Sequence, residues 1–355
     1  MIRAALIGFL FFLPFVSNAQ DVLRLATWNA ELSRKGPGVL IRDIASGADA
    51  QILAAAAHVA QINPDVLVLT GIDTDFDGHI AQAFATALAA AGVEYPYVFS
   101  RISNAGRATG RDLDKDGRLG QARDAQSYGD FHGQGGLALL SRLPIAQHEV
   151  RDFSTLLWRD LPDAQLPIEY YDAEDLEVLR LSSASHWDVP LLWGEAIVHL
   201  LAFYATTPVF DGDEDRNGLR NADEIAVWRH YLDGRLDWPA PDGSFVVIGD
   251  ANLDPNDGDG RVETMKAFLA DPRLQDPRPR SDHAQTIANP QHSGDAALDT
   301  ADWDDPIPGN LRVDYVLPSA DLDVMDAGVA WSQPFDEVGG GFRHGLVWVD
   351  VMRSE

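Results

Sequence analysis

The sequence predicts a single β-rich α/β domain with mixed sheets, and three observations carry that expectation. Short apolar runs rich in β-branched residues recur along the chain, helical periodicity separates some of them, and others follow one another with no room for a helix. The runs are Val22 to Thr27, Val66 to Thr70, Gly136 to Leu140, Val198 to Tyr204, Phe245 to Ile248, Val313 to Leu317 and Leu346 to Val351. No internal repeat and no Pro/Gly/Ser linker divides the 355 residues, so one domain is the simpler reading.

The first element is not part of that domain. Arg3, an apolar run from Ala4 to Val16 and then Ser17-Asn18-Ala19 form the pattern of a secretory signal peptide, which predicts cleavage after Ala19 and a mature domain over residues 20–355. The run is shorter than the roughly 20 residues that a spanning helix needs, and nothing later resembles a second span. Export to the periplasm or beyond is therefore expected, with no transmembrane span after cleavage. Between the first two strands, Ile52, Leu53, Ala56, Val59 and Ala60 fall at helical spacing within Ala50 to Ile62, and Asn63-Pro64 stops the helix. A second helix is expected over Asp223 to Leu232, where Ile225, Trp228 and Leu232 share a face. The segments Asn104 to Gly135 and Ala251 to Val262 are long acidic loops, the places where binding groups usually reside.

Composition narrows the chemistry. With 46% hydrophobic residues the chain can bury a substantial core, and with no cysteine it can use neither disulfides nor a catalytic thiolate. A formal net charge of −28, from 55 acidic against 27 basic residues, repels a nucleic-acid backbone over most of the surface. Duplex nucleic acid is thus a poor candidate substrate. Nothing in the sequence indicates an oligomeric state.

Several strand ends carry polar groups. Thr27-Trp28-Asn29 closes the first strand with an amide, and Gly249-Asp250-Ala251-Asn252 places a carboxylate and an amide two residues apart, on one side of an extended segment. Such a pair can hold a nucleophilic water and a phosphoryl oxygen together. Asp314 lies in a later strand and His344 precedes the last one; an Asp that orients an imidazole makes it a general acid or base. Each of these residues alone is better explained as a strand or turn cap.

Their order is more specific. Trp28-Asn29, the run Gly136 to Ile145 with its Leu-Ser-Arg-Leu-Pro-Ile end, Gly-Asp-Ala-Asn at 249–252, Asp314-Tyr315 and a final His344 together resemble the endonuclease/exonuclease/phosphatase superfamily. Asp112 to Gly117, Ser185 to Pro190, Pro208 to Gly212, Glu214 to Gly218 and Gly309 to Leu317 are similar to its exported bacterial branch. The resemblance spans nearly the whole mature chain. It implies a four-layer sandwich, two mixed β-sheets face to face with helices outside, and cleavage of phosphoesters dependent on magnesium or manganese at one end. It makes Asn29 a metal-site or phosphate-contacting amide, Asp250 and Asn252 the nucleophile-positioning pair, and His344 the catalytic imidazole with Asp314 as its partner.

Three positions depart from the family pattern. Gly71 stands where the resemblance places a metal-binding Glu, Arg343 stands in place of an Asp before the final His, and Tyr204 replaces a His while keeping a hydrogen-bond donor for phosphate. Hard divalent ions need oxygen ligands, so the first two changes predict a degraded metal site. Arg343 would then offer phosphate a fixed guanidinium fork near the vacated position, unless Asp73 or Asp75 supplies the missing carboxylate. His186 is either a further phosphate-contacting residue of the cleft or a satisfied structural histidine against Trp187. Two acidic loops have calcium-loop spacing: Asp213, Asp215 and Asn217 with Glu224 at position twelve, and Asp112, Asp114 and Asp116 with Gly117. Two functions stay open, a phosphoester hydrolase and a non-catalytic pseudoenzyme that binds a phosphorylated ligand.

Overall fold

The computed structural model describes residues 22–334 and 341–354. The expected signal peptide lies outside the described residues. The chain runs β1 (Val22–Asn29), α1 (Val39–Ser46), α2 (Ala50–Ile62), β2 (Val66–Ile72), α3 (His79–Ala90), β3 (Tyr97–Ser100), β4 (Gly136–Ser141), β5 (Arg151–Asp152), α4 (Ala173–Leu176), β6 (Ser185–Trp193), β7 (Ala196–Tyr204), α5 (Arg216–Leu232), β8 (Phe245–Asp250), α6 (Val262–Leu269), α7 (Asp282–Thr286), β9 (Ala301–Asp302), β10 (Asn310–Leu311), β11 (Asp314–Pro318), β12 (Leu322–Ala330) and β13 (Leu346–Arg353).

One sheet has the order β12-β13-β1-β2-β4-β3, the other β11-β8-β7-β6-β5, and β9 pairs with β10 alone. Both large sheets are mixed: β1 runs parallel to β2 but antiparallel to β13, and β7 runs parallel to β8 but antiparallel to β6. Side-chain alternation sorts the core into three layers. Leu23 and Leu25 of β1, Val66 and Val68 of β2 and Val347 and Val349 of β13 meet Val189, Leu200, Val246 and Val316 from the other sheet. The alternate residues Ala26, Trp28, Leu67 and Leu69 face α1, α2 and α3, and Leu201, Phe203 and Val247 face α5 and α6. The result is the helix, sheet, sheet, helix sandwich. Each fully buried leucine or valine in these layers stabilises it by roughly 1.5–3 kcal/mol.

Helix α2 has the expected bounds, because Asp49 caps its first turn by accepting from Ile52 N and Asn63 ends it in the left-handed conformation. Helix α5 begins earlier than its apolar spacing suggests, at Arg216 rather than Asp223. Its first half buries Arg220, Asn221, Asp223 and Glu224 with only Ala222 as an apolar side chain among them, so hydrophobic periodicity cannot detect it. Strand β6 also escapes the pattern, since Pro190 sits inside it. The proline is tolerated because β5 pairs only with Trp187 and Asp188, which leaves Pro190 beyond the end of that ladder.

Candidate active site

Strand direction brings the polar residues to one end of the sandwich. Asn29 and Tyr204 are the last residues of β1 and β7, Asp250 is the last of β8, and Asp314 opens β11, which runs the other way. Register places Asp250 beside Tyr204 on one side and beside Asp314 on the other. His344 comes just before β13 and is tied to β9 by a bridge to Ala301. These ends open into a cavity of about 740 Å³ lined by Asn29, Glu31, Tyr204, Asn252, Trp303 and His344 among others.

Asn29 crosses between the sheets: its Nδ2 donates to Asp250 Oδ2 at 3.0 Å and to the Tyr204 hydroxyl at 3.4 Å. Asp250 Oδ1 accepts from the backbone N–H of Asn252 at 2.8 Å, and Asn252 Nδ2 donates to Ala205 O at 2.9 Å. His344 Nδ1 lies 2.8 Å from Asp314 Oδ2, which also accepts from Thr300 Oγ1 at 2.9 Å. Thr300 in turn accepts the backbone N–H groups of Val313 and Asp314. Trp28 Nε1 fixes the other side of the histidine by donating to His344 O at 2.9 Å, and the Trp303 ring meets the imidazole edge-on at 5.4 Å. With Nδ1 on Asp314, Nε2 is the nitrogen left for a ligand.

Burial and charge set the protonation states. Burial alone would lower the His344 pKa, but the charge and hydrogen bond of Asp314 outweigh it and raise the imidazole to about 9. Burial and the neighbouring Asp314 charge raise the Asp250 carboxyl well above its ordinary range, against the opposing pull of His344. Burial, with Asp250 nearby, raises the Tyr204 phenol, so it stays a donor. Asp314 Oδ1 is buried without a hydrogen-bond partner among the described residues.

The structure corrects several expectations. His186 does not face phosphate: it is 1% exposed, its ring nitrogens are occupied by Ser182 Oγ and Glu224 O, and it packs against Phe203 and Trp228. Burial accordingly lowers its pKa to about 3. Asp73 supplies no metal ligand at Gly71, because its oxygens accept from Ser33 Oγ, Arg34 N and Gly135 N. Asp75 is likewise spent, on the N–H groups of Asp77, His79 and Ile80 at the start of α3. The calcium loop at Asp213, Asp215, Asn217 and Glu224 does not form. Residues 216–232 are helical, Asp215 pairs with Arg261, Asn217 Nδ2 donates to Val209 O, and the fully buried Glu224 accepts from Ser183 N and Thr206 N. Asp112, Asp114 and Asp116 do converge, with one oxygen each within 4.8 Å of the others, on a solvent-facing turn.

Arg343 is also placed differently from the expected phosphate fork. Its guanidinium Nη1 and its backbone N–H both donate to the Glu31 carboxylate at 2.9 Å. Glu31 is the residue of this site that the sequence reading missed, since it follows the strand motif inside an unremarkable loop. The site's fit to a divalent ion can be judged from its donors. Gly71 contributes no side chain, and the oxygen donors beside it in the cavity are Asn29 and the Glu31 carboxylate, so a hard divalent ion fits provided Arg343 releases Glu31. Asp250, Asp314 and His344 also hold one ligand atom each within 4.8 Å of the others, but Asp314 and His344 are bonded to one another.

The fold and site define the class: a two-sheet α/β sandwich with a cleft of carboxylates, amides and an imidazole across its strand ends. The chain belongs to the Endonuclease/Exonuclease/phosphatase family, whose model it matches over residues 26–336. Among solved structures it is similar to the endonuclease/exonuclease/phosphatase from Beutenbergia cavernae, with 20% identity and a TM-score of 0.56 over 94% of this chain and 72% of that one. A family protein from Leptotrichia buccalis aligns at 14% identity and a TM-score of 0.51, over 93% and 99% of the two chains. One from Bacteroides thetaiotaomicron aligns at 15% and 0.50, over 94% and 98%. No curated protein matches the chain. Members of the family are typically dependent on divalent metals.

Proposed function

We infer that this protein is an exported phosphoester hydrolase acting on a small or lipid-like phosphoester, and the observation that carries the reading is the Asp314–His344 pair beside the Asn29–Asp250 contact. Export rests on the residue 1–19 pattern alone. The net charge of −28 disfavours duplex nucleic acid, while Tyr128 and Phe210, which are largely exposed and line the cavity, suit an apolar group on the ester.

Near neutral pH the raised Asp250 carboxyl is a base of useful strength, held in place by Asn29 and Asn252. It takes a proton from a water as the water oxygen attacks phosphorus. Protonated His344, oriented by Asp314, presents Nε2–H to the phosphoryl group and gives that proton to the departing oxygen as the phosphorus–oxygen bond breaks. The Tyr204 hydroxyl holds a non-bridging oxygen. A divalent ion bound by Asn29 and Glu31 would supply Lewis-acid stabilisation of phosphoryl charge. The second reading, a phospholigand-binding protein without turnover, draws on Gly71 and on the Arg343–Glu31 pair, which weaken the site for metal.

A panel of phosphomonoesters and phosphodiesters, assayed with magnesium, manganese, calcium or chelator, separates the two readings. Turnover that His344→Ala reduces by at least a hundredfold is expected. Phosphate binding with no turnover under any of these conditions would leave the binding-protein reading.

A further inference from the structure

Gly71 and Glu31 line the same cavity and share Asn29 as a neighbour. The Asn29 amide lies directly against Gly71, its Oδ1 2.1 Å from where a β-carbon would stand. The same Oδ1 accepts the backbone N–H of Glu31 at 3.2 Å. Glu31 is held at φ 48°, a left-handed conformation that strains a non-glycine residue. Gln51 Nε2, from α2, clamps the Glu31 carbonyl at 3.1 Å and keeps the strained turn in place. The carboxylate so presented lines the cavity, and its charge acts on both His344 and Tyr204.

What balances that carboxylate is Arg343, through Nη1 to Oε1 and the backbone N–H to Oε2. The Arg343 side chain is 60% exposed against 27% for Glu31. An ion pair so wet contributes little to stability and exchanges readily. The two groups also have different alternative partners: a carboxylate suits a hard divalent cation, and a guanidinium suits the oxygens of a phosphate.

We propose that Glu31 takes over the role of the carboxylate absent at Gly71 as a ligand for a divalent cation, and that Arg343 is its exchangeable counter-ion, passing to the phosphate of the incoming ester when the cation arrives. This rests on the cavity being a phosphoester site. The exchange keeps every charge paired when cation and phosphate bind together. Either one binding alone leaves Arg343 or Glu31 without a partner. Cation and phosphate therefore bind synergistically, and the sign of that coupling is set by Arg343.

Calorimetric titration of the full-length mature protein with magnesium chloride, with and without inorganic phosphate, tests this. In the unmodified protein phosphate tightens magnesium binding by about tenfold, a coupling of ordinary allosteric size. Arg343→Gln binds magnesium alone about tenfold more tightly and loses most of the phosphate effect, while Glu31→Gln loses magnesium binding in both conditions. Magnesium affinity unchanged in Glu31→Gln, or an Arg343→Gln protein that titrates like the unmodified one, overturns the proposal. The readout is affinity and not turnover. A catalytically silent protein that shows this pattern removes the hydrolase reading and keeps the exchange, whereas an active protein with unaltered magnesium affinity in Glu31→Gln does the opposite.

Discussion

A β-carbon added to Gly71 would stand 2.1 Å from Asn29 Oδ1, with the backbone at φ +66° in a region that favours glycine. The local register shift between Thr70 and Ile72 belongs to the same distortion. Restoring an acid at this position is therefore not a simple repair of the cleft. Gly71→Ala is expected to destabilise the fold by about 1–3 kcal/mol, because a strained backbone and a collision add. Gly71→Glu should weaken magnesium binding by displacing Asn29. Urea denaturation of both variants checks the first claim, and an increase in magnesium affinity for Gly71→Glu would count against the second.

On the hydrolase reading, the Asp314–His344 pair sets an alkaline limit to activity. His344 is raised to about 9 by Asp314 despite burial, so the proton it donates is retained at neutral pH and lost as pH rises through about 9. The same shift stabilises the fold below the unfolded histidine pKa, and that stabilisation disappears as pH climbs through the folded value. Asp314→Asn removes the charge and leaves burial in control. The alkaline limb of kcat should then move down by at least two pH units, with kcat at pH 8 reduced by at least tenfold. A limb that stays in place in the variant would show that another group sets it.

Asp299 offers a stabilising substitution. It is 7% exposed, lines a second cavity of about 360 Å³, and its carboxyl has no hydrogen bond among the described residues. Burial first, then the charges of Asp254, Asp257 and Asp295, raise it to about 7. The protonated form is thus favoured in the folded state, and stability is lost as pH rises from the ordinary carboxylate range through about 7. Asp299→Asn should be more stable than the unmodified protein at pH 8 by roughly 2–4 kcal/mol, with the gap closing toward pH 4. Urea midpoints measured at the two pH values read this directly.

Glu224 holds a turn rather than a cation. Its two oxygens accept from Ser183 N and Thr206 N, and burial raises its carboxyl to about 7 against the pull of Arg220. Glu224→Ala should cost about 2–4 kcal/mol by leaving two buried donors without partners. Any calcium-dependent rise in melting temperature should survive the substitution. Its disappearance in a variant that remains folded would restore the calcium-loop assignment at this helix.

Much of the fold was legible because strand and helix periodicities are local. Seven apolar runs mark strands of the two sheets, and the bounds of α2 follow from Asp49, Asn63 and Pro64. The short motifs at strand ends also identified Asn29, Asp250, Asn252, Asp314 and His344, the residues that meet across the cleft. Where polar residues fill core positions the same reasoning failed, as in the first half of α5, and it assigned His186 and Glu224 to surfaces they do not face.

The sequence by itself determined the sandwich, its family and the strand ends that carry the acid, the amide and the imidazole. Only the tertiary structure decided what surrounds them: Thr300 under Asp314, Trp28 behind His344, and Glu31 facing Arg343 from 312 residues away. Periodicity and motif spacing are fixed by neighbours along the chain. The partner of a charged side chain is set by which strand ends the sheets bring together, and by whether one residue, Glu31, is held in a left-handed turn.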